Sequence, residues 1–114
     1  MLVFELPYPP SVNHYWRHWG TKTLISRGGR AFRKAVCAIL AASGVRPLTG
    51  ALAVEIVVSP PDRRVRDIDN VQKPLLDALQ HGGAYADDGQ IVRLSIEKAE
   101  PVAGGKTTVR IRKV

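Results

Sequence analysis

Between Glu5 and Glu55 the chain has no acidic residue, although Arg17, Lys22, Arg27, Arg30, Arg33, Lys34 and Arg46 all fall there. Those seven cations equal the formal net charge of +7, and the other ten Lys and Arg balance the ten Asp and Glu. An acid-free, basic N-terminal half is a poor host for cations and basic peptides and points to a polyanion. A single cysteine, Cys37, excludes an internal disulfide and, lying in the apolar run 35–42, is expected as a buried thiol in a reducing, intracellular setting. With one cysteine and three histidines a zinc site is not expected, despite the i, i+4 spacing of His14 and His18. No window approaches the ~18 apolar residues of a membrane span, and the N-terminus lacks the basic lead and apolar stretch of a secretory segment. There is no internal repeat or low-complexity tract. With 114 residues, 45% hydrophobic and 24% charged, the sequence is expected to fold as one domain, 1–114, with a core of its own.

The periodicities set out the elements. Residues 2–6 read as a strand stopped by Pro7, Pro9 and Pro10. Residues 11–20 read as a loop and 22–25 as a short strand. Ser26 is a plausible helix cap, with regular helix expected from nearer Arg30 because Gly28 and Gly29 weaken the first turn. That helix ends at Gly44. Phe32, Val36, Ile39 and Leu40 share its apolar face, and Arg27, Arg30 and Lys34 fall opposite. Alternation over 51–59 gives a strand with a buried face. A stiff charged connector, 60–66, leads to a helix over about 69–81, its start made irregular by Pro74. Residues 90–98 and 106–113 read as strands closing an antiparallel hairpin through 99–105. The fold class is therefore α+β, a mixed, mostly antiparallel sheet flanked by two helices.

Six of the ten acids lie between Asp62 and Asp88. In an extended segment Asp67 and Asp69 point the same way, about 6.5–7 Å apart, and could converge on one cation. Two carboxylates brought to ~4 Å repel by roughly 4 kcal/mol at an effective dielectric of 20, so such a pair calls for a metal, a proton or a basic neighbour. Oxygen-only ligands favour Mg²⁺, or Mn²⁺ in its place, over zinc. A carboxylate-bound Mg²⁺ beside a basic surface is the minimum equipment for phosphodiester hydrolysis: the cation polarises a phosphoryl oxygen and lowers the pKa of bound water, while Lys73 stabilises developing charge. The plainer reading has Asp67 paired with Arg63, Arg64 or Arg66, Asp69 capping the helix, and Asp87-Asp88 in an exposed turn. Spacing alone leaves both open, and favours the plainer one.

Longer motifs tip the balance. Leu6-Pro7-Tyr8-Pro9-Pro10-Ser11-Val12-Asn13 with Tyr15 and Arg17, Pro61-Asp62-Arg63-Arg64 running into Arg66-Asp67-Ile68-Asp69-Asn70 with Lys73, Asp77-Ala78-Leu79, and Asp87-Asp88 before Gln90-Ile91-Val92 occur in order along nearly the whole chain. As a set they resemble the RusA family of Holliday-junction resolvases. The resemblance implies a Mg²⁺-dependent, homodimeric endonuclease that nicks four-way DNA junctions symmetrically in recombination and repair, in bacterial cytoplasm and often phage-encoded. It places catalytic and metal-binding roles on Asp67, Asp69 and Asp88, with Lys73 assisting. The expected DNA contacts are Asn13, Tyr15, Arg17, Lys22, Arg27, Arg30, Lys34 and Arg66, joined by Arg33. Tyr15, Trp16 and Trp19 either stack on bases or pack in the core. The competing class is a non-catalytic nucleic-acid-binding protein.

A homodimer suits a two-fold junction that needs two matched nicks. Geometry raises one difficulty. A crossover helix over 70–80, ~16 Å long, puts Asp67 and Asp88 at opposite ends of the sheet. Either connector 60–66 carries the first acids back along the sheet, the preferred solution, or the partner subunit completes the site.

Overall fold

The computed structural model describes residues 1–114, the side chains of Asn13 and Trp19 excepted. In chain order the elements are β1 (Leu2–Leu6), α1 (Val12–Tyr15), β2 (Trp16–Trp19), β3 (Lys22–Ile25), α2 (Arg27–Ala42), β4 (Leu52–Ser59), a 3-10 turn (Ile68–Val71), α3 (Gln72–His81), a second 3-10 turn (Asp88–Gln90), β5 (Ile91–Lys98) and β6 (Lys106–Lys113). Four strands form a mixed sheet in the order β1-β6-β4-β5. Strand β6 is antiparallel to both β1 and β4, and β5 is parallel to β4. The α+β class and mixed sheet expected from the sequence are present.

The expected hairpin between the last two strands does not form. Strand β6 enters the sheet between β1 and β4, while β5 pairs only with β4. Burial explains the choice. Most of β4 is buried, and a strand with so few exposed positions satisfies its backbone best with a neighbour on each side. Strand β5 alternates half-buried with exposed residues and suits an edge. The link 99–105 crosses the end of β4, where Ala99 N donates to Val58 O at 2.8 Å and Val102 N to Pro60 O at 3.0 Å.

Both long helices lie against one face of this sheet. Phe4 and Leu6, Leu52, Val54, Ile56 and Val58, and Val109 and Ile111 point from the strands into a single core. They meet Phe32, Val36 and Leu40 of α2 and Leu75, Ala78 and Leu79 of α3. Cys37, expected buried, is half-buried on the flank of α2.

Residues 11–20 are ordered rather than loop: α1 makes a single turn, and β2 pairs antiparallel with β3 in a separate two-stranded ribbon. The ribbon was hidden because Trp16-Arg17-His18-Trp19 carries no polar alternation. Helix α2 starts at Arg27, earlier than expected, with the Ser26 hydroxyl accepting from Gly29 N at 3.0 Å. The two glycines do not delay it. A Cβ on Gly29 would stand 2.5 Å from the Tyr15 carbonyl oxygen, so Gly29 lets the first turn of α2 press against the end of α1. The start of α3 is irregular, as Pro74 requires: the 3-10 turn precedes it, and Pro74 falls in the first helical turn, where no backbone bond is lost.

Candidate active site and nucleic-acid interface

The connector between β4 and α3 is held by its own charges. Arg66 donates to Asp62 Oδ1 at 2.6 Å, and its guanidinium carbon sits 5.9 Å from the centroid of the Tyr8 ring. Arg64 N donates to Asp62 Oδ1 at 3.0 Å, and Arg63 pairs with Glu100 at 3.3 Å. The Arg66 bond, followed by the Arg64 N–H, pulls the Asp62 carboxyl down to a pKa of about 2. Arg66, one of the expected DNA contacts, is bonded to Asp62 and braces the connector.

Asp67 and Asp69 come next, and none of the plainer roles is theirs. Asp67 precedes the 3-10 turn but makes no side-chain cap, and Asp69 lies within that turn. Both are exposed, and among the described residues neither carboxylate has an ion-pair or hydrogen-bond partner. A turn, not an extended segment, carries the pair, so the same-side geometry expected of a strand does not apply.

Lys73 opens α3 and is exposed; Asp77 and His81 follow at intervals of four on the same helical face. Asp77 is fully engaged within the fold. Its Oδ2 accepts from the Tyr15 hydroxyl and from Arg33 at 2.9 Å, and its Oδ1 is 3.8 Å from His81 Nε2. Tyr15 is wholly buried; burial and the Asp77 bond push its hydroxyl up to about 12. The structure employs two of the expected DNA contacts within the fold. Tyr15 is a core residue with no ring face free for a base, and Arg33 is a half-buried partner of Asp77. The sequence pointed to Asp77 only through the motif Asp77-Ala78-Leu79, although its spacing from Lys73 and His81 was a legible signal.

At the far end of α3, Asp87 caps the second 3-10 turn. Its side chain accepts from Gly89 N at 2.9 Å while Gln90 Oε1 accepts from Asp87 N at 3.0 Å. Asp88 N donates to Gln80 Oε1 at 3.1 Å, fixing the acid beside the end of α3. Burial raises the Asp88 carboxyl above its ordinary pKa; the nearby Tyr85 hydroxyl draws it down, Asp77 and Asp87 push it up, and Lys73 lowers it. The structure therefore brings Asp88, Asp77 and Lys73 into one electrostatic neighbourhood.

Asp67 and Asp69 lie before the start of α3, and Asp88 follows its end with its carboxyl beside the Tyr85 hydroxyl, which donates back to Leu76 O at 2.8 Å. Lys98 Nζ at the end of β5 donates to Arg66 O at 2.5 Å and holds the connector there, whereas Asp88 precedes the start of β5. Among the described residues of one chain, no three His, Cys, Asp or Glu side chains form a group able to hold a metal. The donors nevertheless fit Mg²⁺ in kind: Asp67 and Asp69 offer exposed carboxylate oxygens with no other employment.

The remaining cations lie on the ribbon and on α2. Arg17 and Lys22 on the ribbon and Arg27, Arg30 and Lys34 on the outer side of α2 are exposed. Arg30 donates to Ile25 O at 3.2 Å, which ties the ribbon base to α2. Trp16 is half-buried, edge-on to Tyr15 with centroids 4.9 Å apart. The expectations for the Asn13 and Trp19 side chains lie outside the described residues.

A small mixed-sheet domain with a basic ribbon and helix, and unemployed carboxylates at a helix start, suits an enzyme that acts on nucleic acid. Residues 7–112 match the family model described as Endodeoxyribonuclease RusA, and the chain belongs to that family. It is 38% identical over 109 residues to the Crossover junction endodeoxyribonuclease rusA of Enterobacteria phage HK97, covering 95% of this chain and 91% of that one. To the protein of that name from Enterobacteria phage 82 it is 39% identical over 107 residues, covering 93% and 89%. To its counterpart in Escherichia coli K12 it is 38% identical over 108 residues, with the same coverage. No helix is long and apolar enough to cross a membrane.

Proposed function

We propose that the chain is a Mg²⁺-dependent endonuclease that resolves four-way DNA junctions, acting as a homodimer in the cytoplasm of bacteria on host or phage DNA. The observation that carries the reading is the division of labour among the acids of the 62–88 segment. Asp62, Asp77 and Asp87 are committed to Arg66, to Arg33 with Tyr15, and to a turn, whereas Asp67 and Asp69 are committed to nothing among the described residues. Exposed carboxylates left without partners beside a basic surface suit a divalent cation.

The lack of a metal-holding group among the described residues of one chain argues that one chain does not complete the donor set. We assign each metal site to Asp67 and Asp69 of one protomer with Asp88 of the partner subunit. When bound, Mg²⁺ supplies Lewis-acid polarisation of the scissile phosphate and a more acidic water. The chain's own residues do the rest. Lys73, exposed at the start of α3 four residues after Asp69, places an ammonium where charge develops on the phosphate oxygens. Arg17, Lys22, Arg27, Arg30 and Lys34 hold the arms through their phosphates. Two sites related by a two-fold axis match two equivalent strands of a junction.

Asp69→Asn is the direct test, with a four-way junction beside plain duplex, with and without Mg²⁺. The expected result is junction binding within about threefold of the original and cleavage lowered by at least ~10². A non-catalytic binding protein would instead show no Mg²⁺-dependent nicking by the original chain.

A further inference from the structure

Tyr85, three residues before Asp88, is only 1% exposed. Its ring belongs to the core cluster that Leu75 and Leu79 of α3 join, and its backbone pairs with Leu48 in an isolated bridge. A hydroxyl buried in such a place needs hydrogen-bond partners from the protein. Two acceptors stand beside it: Leu76 O, at 2.8 Å, and the Asp88 carboxylate. Burial, with Asp88 and Asp77 nearby, raises the Tyr85 hydroxyl above the ordinary pKa of a tyrosine, so it is a donor at neutral pH. Leu76 lies within α3, where a carbonyl is already served by the N–H four residues on, so the backbone does not require this hydroxyl.

Asp88 is tethered a second time, by its own N–H to Gln80 Oε1 at 3.1 Å, yet as a residue it is exposed. One flank of the carboxylate therefore rests on a rigid donor and another is open to solvent. Asp67 and Asp69 differ in this, having no hydrogen-bond partner among the described residues. We propose that Tyr85 is a positioning residue for the metal site: its hydroxyl holds one oxygen of Asp88 and leaves the other turned outward for the divalent cation. A carboxylate already oriented loses less rotational freedom when a cation arrives. The inference rests on the function proposed above in taking Asp88 as a metal ligand, and it holds whichever protomer supplies Asp67 and Asp69.

The test is Tyr85→Phe, which keeps the ring and removes the hydroxyl, with folding checked by circular dichroism. Binding of Mn²⁺ to the protein, read by electron paramagnetic resonance as loss of the free-ion signal, needs no turnover. The variant should bind Mn²⁺ about 10-fold more weakly and need about 10-fold more Mg²⁺ for half-maximal nicking of a four-way junction. At saturating Mg²⁺ its rate should return to within about threefold of the original. A tyrosine that serves the core alone would lower stability and leave both metal midpoints where they were, which overturns the proposal. A second measurement leaves Tyr85 in place, and decides the matter if Tyr85→Phe does not fold. The sheltered hydroxyl proton should move in the NMR spectrum as Mg²⁺ is added, and should not move in Asp88→Asn; a proton indifferent to Mg²⁺ in the original protein overturns the proposal too. Asp88→Asn also separates this inference from the reading beneath it. If that variant binds Mn²⁺ as the original does, Asp88 is no ligand and both fall. If it loses Mn²⁺ while Tyr85→Phe does not, the positioning role alone falls. If Tyr85→Phe shifts Mn²⁺ affinity but the original never cuts a junction, the positioning role stands and the nuclease reading fails.

Discussion

Asp62 and Tyr15 show how single residues free others for chemistry. Asp62 absorbs Arg66 and the Arg64 N–H, which keeps both away from Asp67 five residues on. Because its folded pKa, about 2, lies below the ordinary 3.8, its contribution to connector order is complete above pH ~4 and lost as pH falls through about 2. A carboxyl-detected NMR titration should find Asp62 well below the ordinary carboxylate value, and a midpoint near 4 would contradict the Arg66 contact. Tyr15 runs in the opposite sense. Its pKa is raised from 10 to about 12, so what its hydroxyl contributes is intact below pH 10 and lost as pH rises through 12. The motif containing Tyr15 was legible in the sequence. That its ring packs inward was not, because an aromatic among cations suits a base as well as a core, and only the Asp77 contact 62 residues away decides between them.

At the scale of elements, Asp77 is the joint where α1, α2 and α3 meet. Removing the Tyr15 hydroxyl in Tyr15→Phe should cost about 1–3 kcal/mol in a denaturant titration. Asp77→Asn, which also leaves Arg33 without its counter-ion, should cost more. If both act through this one contact, their effects combined should fall short of the sum. Gly29→Ala tests the neighbouring contact. Its Cβ would overlap the Tyr15 carbonyl oxygen, so a loss of about 1–3 kcal/mol is expected despite alanine's better helix propensity. A neutral or stabilising result would show that α1 does not press on α2. Strands 2–6, 22–25, 51–59 and 106–113 were readable because each alternates or is bounded by Pro or Gly. The pairing of β5 with β4 was not, since sequence proximity favours a hairpin and only the relative burial of whole strands overrules it.

For the molecule as a whole, charge separation organises the function. The acid-free half supplies the exposed cations of ribbon and α2, and the mixed half supplies the acids of the site. Junction binding should therefore weaken steeply with salt, with log K falling linearly in log salt concentration. Charge reversal at Arg17 and Lys22 together should flatten that slope, and an unchanged slope would remove the ribbon from the interface. The composition revealed this polarity at once. It could not reveal where the connector is held, because that depends on β5 running parallel to β4 with Lys98 at its end bonded to Arg66 O.

A site shared between two chains can be tested by mixing two inactive proteins. Asp69→Asn and Asp88→Asn chains, each inactive alone, are unfolded and refolded together and assayed on a four-way junction with Mg²⁺. In a mixed dimer with shared sites, one site carries both substitutions and the other is intact. Nicking should return, on single strands rather than in matched pairs, with roughly a quarter of all sites active after random mixing. If each site were built within one chain, every site would carry a substitution and the mixture would stay as inert as its parts.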